Sequence, residues 1–78
     1  GTEIEFSKRE FDILELLLTH AGQVFDRERI YESVWGLEAS GDNSVVKEHI
    51  RKIRQKLQGI AGQGYIETVW GVGYRWKQ

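Results

Sequence analysis

Apolar residues alternate with polar ones at the two ends of the chain and recur every three to four positions through its middle. Thr2 to Phe6 reads Thr, Glu, Ile, Glu, Phe, which predicts a short strand with Ile4 and Phe6 on a different face from Glu3 and Glu5. Ser7-Lys8-Arg9-Glu10 then forms a capping box, with Phe6 and Phe11 at the positions of a hydrophobic staple. A first helix is therefore expected from Lys8 to about His20, with Phe11, Leu14, Leu17 and Leu18 as its core stripe. Ile13 and Leu16 fall outside that stripe, so the helix is apolar on two sides, and upstream sequence is expected to cover the second.

Ala21-Gly22-Gln23 ends this helix, with Gly22 suited to a left-handed cap and His20 placed to cap the last turn. Phe25 and Ile30 flank the cap residue Asp26 as a second staple, which predicts a helix from Arg27 to about Trp35 with Ile30, Tyr31, Val34 and Trp35 inward and Gly36 closing it. Leu37 to Asn43 has loop composition. A third helix is expected from Asn43 or Ser44 to Gln58, ended by Gly59, on a thin stripe of Val46, Ile50, Ile53 and Leu57. Ile60 to Gly64 reads as a turn. Tyr65 to Val69 and Tyr74 to Trp76 read as the strands of a hairpin reversed at Trp70-Gly71-Val72-Gly73.

At 78 residues the chain has room for one domain with one small core. It has no cysteine, which removes disulfides, thiolate nucleophiles and Cys-based zinc sites. No apolar run approaches the roughly 20 residues of a membrane-spanning helix, and no signal peptide is visible, so a cytoplasmic protein is expected. Because the sequence starts at Gly1 and holds no Met, it is expected to be part of a longer chain. The net charge of −1 argues at first against a polyanion partner. Its distribution reverses that: residues 1–42 carry −6 and residues 43–78 carry +5.

The basic half holds the candidate chemistry. Lys47, Arg51 and Arg54 line one flank of the third helix, Ser44, Glu48, Arg51 and Gln55 lie opposite its core stripe, and Lys52 sits on the other flank. Arg and Lys pair with guanine, Gln with adenine, and Glu accepts from cytosine, so this face suits a DNA major groove. A merely solvated basic face is the alternative. The GxG of the hairpin turn is not a phosphate loop, because no helix follows it. With Arg75 near it, the tip could press on phosphates or enter a minor groove, or it could simply close the core. His49 is open between a core-edge residue and a phosphate donor. No catalytic triad or metal-ligand cluster is specified, so no enzyme is expected.

Five motifs in order carry a family resemblance: Phe6-Ser7-x-x-Glu10-Phe11-x-x-Leu14, Gly22-Gln23-Val24-Phe25-x-Arg27, Val34-Trp35-Gly36, Val46-x-x-His49-Ile50-x-x-Ile53-Arg54-x-Lys56-Leu57, and Ile66-x-Thr68-Val69-x-Gly71-Val72-Gly73-Tyr74-Arg75. Together they resemble the C-terminal effector domain of OmpR/PhoB-type response regulators. The resemblance implies an α+β winged helix-turn-helix: three helices, a C-terminal β-hairpin wing, and a remnant of an N-terminal sheet whose other strands, like a receiver domain, would lie upstream. It implies a cofactor-free output domain of a two-component system that binds double-stranded DNA at direct repeats as a tandem dimer, under a cognate histidine kinase. By position, Lys47, Glu48, Arg51 and Lys52 would face bases, His49 and Arg54 would hold phosphates, and Thr68 with the wing around Trp70 would meet the backbone or minor groove. The loop with Leu37, Glu38, Asp42 and Asn43 would meet RNA polymerase. Trp70 stands where the family often has Arg, and Lys47 where it often has an acid. A winged-helix module that docks on polymerase or on its own copy is the competing function.

Overall fold

A computed structural model describes residues 5–37, 40–61 and 65–77. In chain order it contains α1 (Lys8–Thr19), α2 (Arg27–Trp35), α3 (Ser44–Ala61), β1 (Ile66–Val69) and β2 (Gly73–Trp76). The capping box forms as expected: Glu10 N–H donates to the Ser7 hydroxyl at 3.2 Å and Ser7 N–H donates to the Glu10 carboxylate at 2.8 Å. The expected strand over Thr2 to Phe6 lies largely outside the described residues, and Glu5 and Phe6 within it join no strand.

The face of α1 differs from expectation. Ile13, Leu14 and Leu17 enter the core, whereas Phe11 and Leu18 remain 56% and 48% exposed. Both sets satisfy helical spacing, and the choice between them falls to whichever side meets α2, α3 and β2. Among the described residues the apolar side left uncovered is thus Phe11 and Leu18, with Leu16 packed at the edge of the core. Asp26 caps α2 by accepting from Arg29 N–H at 2.7 Å, and Gly36 N–H closes it on the Glu32 carbonyl at 3.0 Å. His20 serves α1 as expected, its ring Nδ1 donating to the Leu16 carbonyl at 3.0 Å, and Gly22 takes φ 90°.

On α3, Val46, Ile50 and Ile53 are fully buried and Leu57 partly so. The helix does not stop at Gly59 but continues to Ala61. One interior glycine costs about 1 kcal/mol relative to alanine, which is too little to break a helix already propagating. The expected turn over Ile60 to Gly64 is correspondingly shortened, and residues 62–64 lie outside the described ones.

The hairpin is antiparallel in the register Ile66↔Trp76, Glu67↔Arg75, Thr68↔Tyr74 and Val69↔Gly73. Its turn closes by Val72 N–H on the Val69 carbonyl at 2.9 Å, with Gly71 at φ 80°, the value that a type II turn requires at its third position. The hairpin also pairs outside itself. Phe25, between α1 and α2, bridges to Tyr74, each N–H donating to the other's carbonyl at 2.8 Å. Gly73 permits it, since a Cβ there would stand 2.1 Å from the Phe25 carbonyl oxygen. The wing is thereby fastened to the helices by backbone bonds, on a core of Ile13, Leu17, Phe25, Ile30, Ile50 and Ile53.

Candidate nucleic-acid interface

The thin apolar stripe of α3 leaves Lys47, Glu48, Arg51, Lys52 and Gln55 exposed. The hairpin runs alongside, and between helix and wing lies a cleft of about 390 Å³ bordered by Lys47, Arg51, Arg54, Gln55, Thr68 and Trp70. The structure therefore brings most of the expected residues together on one side of the molecule. Arg51 is not idle there. Its Nε donates to the Glu48 carboxylate at 3.2 Å within an exposed ion pair. The hydrogen bond from Arg51 holds the Glu48 carboxyl below its usual range, and the same bond raises Arg51. Glu48 occupies the Nε and Nη2 side of the guanidinium, which leaves Nη1 and the second Nη2 hydrogen to meet a base.

Arg54 has an internal task. Its Nε and Nη2 donate to the Ile66 carbonyl at 3.2 and 3.0 Å, and Nη2 also donates to the Thr68 hydroxyl at 2.6 Å. The guanidinium lies 5.6 Å from the centre of the Tyr74 ring. With its oxygen accepting from Arg54, the Thr68 hydroxyl keeps its own proton free to donate. Arg54 is thus a tie between α3 and the wing, and any phosphate would share it with Ile66 and Thr68.

His49 sits on the opposite flank of α3 from the wing. Its Nδ1 donates to the Val45 carbonyl at 2.7 Å and its ring meets the Trp35 ring edge to face at 5.2 Å. With Nδ1 on Val45, Nε2 is the ring nitrogen left to meet a partner. Arg75 is not brought to the cleft. Its register partner is Glu67, the two form an ion pair, and both lie on the hairpin face opposite Thr68 and Tyr74. Trp70 stands at the tip, 89% exposed.

In the loop before α3, Leu37 is 83% exposed, while Glu38 lies outside the described residues. Asp42 accepts from Ser44 N–H at 2.9 Å and Asn43 donates to Glu28 at 2.7 Å, so both anchor the start of α3. Several positioning contacts between elements gave no sequence signal. Arg9 on α1 donates to the Val34 carbonyl at 2.7 Å over the Trp35 ring, securing the end of α2. Buried Glu10, besides capping α1, pairs with Lys56 of α3. Burial alone would raise its carboxyl, but the bonds from Lys56 and Ser7 outweigh this and hold it below the usual range. A basic side chain at helical spacing looks the same in sequence whether it meets solvent or a carboxylate.

Comparison with known proteins matches residues 1–76 to the family described as the C-terminal domain of transcriptional regulatory proteins. The response regulator ArlR of Staphylococcus haemolyticus is 42% identical over 74 residues, 95% of this chain and 34% of ArlR. The chain spans about a third of the length of the curated relatives it matches. The DNA-binding domain of Bacillus subtilis CssR superposes with a TM-score of 0.83 at 36% identity, covering 97% of this chain and 82% of that one. The Klebsiella pneumoniae RstA DNA-binding domain, solved in complex with the RstA box, superposes at 0.78 with 35% identity, covering 99% and 77%. Three helices, a bonded wing and a basic outer face on the third helix thus coincide with sequence kinship: the chain belongs to the C-terminal transcriptional-regulator family, the winged-helix DNA-binding domains of OmpR/PhoB-type response regulators.

Proposed function

We propose that this domain is the sequence-specific reader of double-stranded DNA in a cytoplasmic two-component regulator. Residues 1–78 form one winged-helix unit to which an upstream sheet and a receiver domain, controlled by a histidine kinase, would be joined. In this arrangement α3 enters the major groove and the wing lies over the adjoining backbone or minor groove. The observation that carries it is the single-stripe seating of α3, which frees Lys47, Glu48, Arg51, Lys52 and Gln55 on one outer surface next to the wing. Lys47, Glu48, Arg51, Lys52 and Gln55 would face bases, while His49, Thr68 and the wing would hold the backbone. Arg54 positions Thr68 and supplements it. Arg75, facing away, would act only through distant attraction. Binding would occur at direct repeats as a tandem dimer, with exposed Leu37 and its loop turned to RNA polymerase.

The test is selection of duplexes from a random pool, followed by titration across salt concentrations. Binding should weaken with a log–log slope of about −0.9 per phosphate contact, and Arg51→Ala should cost about 1–3 kcal/mol and relax the preference at one base position. Salt-insensitive binding to polymerase or to a second copy, with no duplex selected, would replace this function with protein docking.

A further inference from the structure

We propose that Trp70 enters the DNA minor groove as an uncharged wedge, so that the wing reads the deformability of the base step beneath it and not the negative potential of a narrow A·T tract. The inference rests on the DNA-binding role above. No residue from Val69 to Gly73 carries a charge, so the tip has no cation to place in the groove. It presents instead an indole that is 89% exposed, beside Val72 at 57%. The mount of this indole is fixed at three points. The turn is closed by the Val72–Val69 bond, Thr68 is held by Arg54, and the next strand is fastened at Tyr74 to Phe25.

Placement favours DNA as the occupant. Trp70 borders the cleft along α3 and also a second cleft of about 480 Å³ that opens toward the starts of α2 and α3, and Lys47 lines both. A duplex that receives α3 in its major groove therefore brings its neighbouring minor groove to this tip. The indole N–H is a donor only, and the minor-groove edge of an A·T pair offers acceptors only. Pyrimidine–purine steps unstack most easily, so an apolar side chain pressed between base pairs costs least there.

Two duplexes carrying the selected site test this, one with a TA step and one with an A-tract on the wing side, each with 2-aminopurine at the flank. The wild-type protein should bind the TA duplex more tightly and raise 2-aminopurine emission. Trp70→Ala should lose about tenfold in affinity for it and abolish the emission rise, without changing the salt slope. Trp70→Phe should retain most of both. Trp70→Arg should steepen the slope by about 0.9 and shift preference to the A-tract. A Trp70→Ala protein that binds as wild type, still raises the emission, or loses only self-association in sedimentation overturns the wedge. Absence of any salt-sensitive duplex binding by the wild type would instead refute the DNA-binding role itself.

Discussion

Replacing Gly73 by alanine isolates how much of the domain depends on the wing's attachment. The added Cβ would lie 2.1 Å from the Phe25 carbonyl oxygen and 2.7 Å from Asp26 Cα, both backbone atoms that cannot swing aside. To reach an ordinary 3.4 Å separation, β2 must retreat by about 1.3 Å, which breaks the paired 2.8 Å bonds between Phe25 and Tyr74. Two backbone hydrogen bonds at about 1 kcal/mol each, with partial exposure of Phe25 and Tyr74, amount to about 3 kcal/mol. A domain of this size has little more than about 5 kcal/mol in total. Gly71→Ala is the control: nothing lies within 4 Å of its Cβ, and only the φ of 80° opposes it, at about 1 kcal/mol. Urea unfolding should show Gly73→Ala with its midpoint reduced by more than half and Gly71→Ala with its midpoint reduced by only about a fifth. Hydrogen exchange at the Phe25 and Tyr74 amides should accelerate only in the former. If Gly73→Ala keeps both its midpoint and its slow amides, or if Gly71→Ala is the costlier change, the attachment is not what holds the wing.

Glu10 should make stability depend on acid. Its folded carboxyl lies below the ordinary value, so its contribution is complete above the unfolded pKa of about 4.3 and is lost as pH falls through the folded one. Glu10→Gln should cost about 2 kcal/mol near neutrality and flatten that acid limb in pH-dependent urea melts. Glu48→Gln releases Arg51 and removes a negative charge from the outer face of α3, so filter binding should show tighter association with random duplex and a smaller preference for the selected site. Arg54→Lys keeps the charge but loses the fork that spans Ile66 and Thr68; thermal melts should move by several degrees, with faster exchange at the hairpin amides. Extending the chain upstream should slow exchange of α1 and shield Phe11 and Leu18; unchanged protection would show that this side needs no cover.

Element boundaries could be read from the chain because they are local events. Ser7 and Asp26 cap helices whatever else is present, and the α3 stripe has only one apolar direction to offer the core. On α1 that uniqueness fails. Phe11 and Leu18 compete with Ile13 for the places beside Leu14 and Leu17, and only the position of α2, α3 and β2 decides between them. The Phe25–Tyr74 bridge is one residue long on one side, too short for alternation to register. At the interface, residue types told which side of α3 is polar, but not that Arg54 is spent on Ile66 and Thr68, that Arg75 turns to Glu67, or that His49 leans on Trp35. Those are pairings between elements, and spacing within one element carries no information about them.

The Arg54 fork makes α3 and the hairpin the two jaws of one calliper. On a duplex gripped as proposed, neither would slide without the other, so the distance between what each would touch is a constant of the protein. Adding a single base pair between the two contacted stretches moves one of them by about 3.4 Å along the axis and by about a tenth of a turn around it. The domain would then measure length as well as sequence, and operators should tolerate base changes between the jaws more readily than insertions or deletions there.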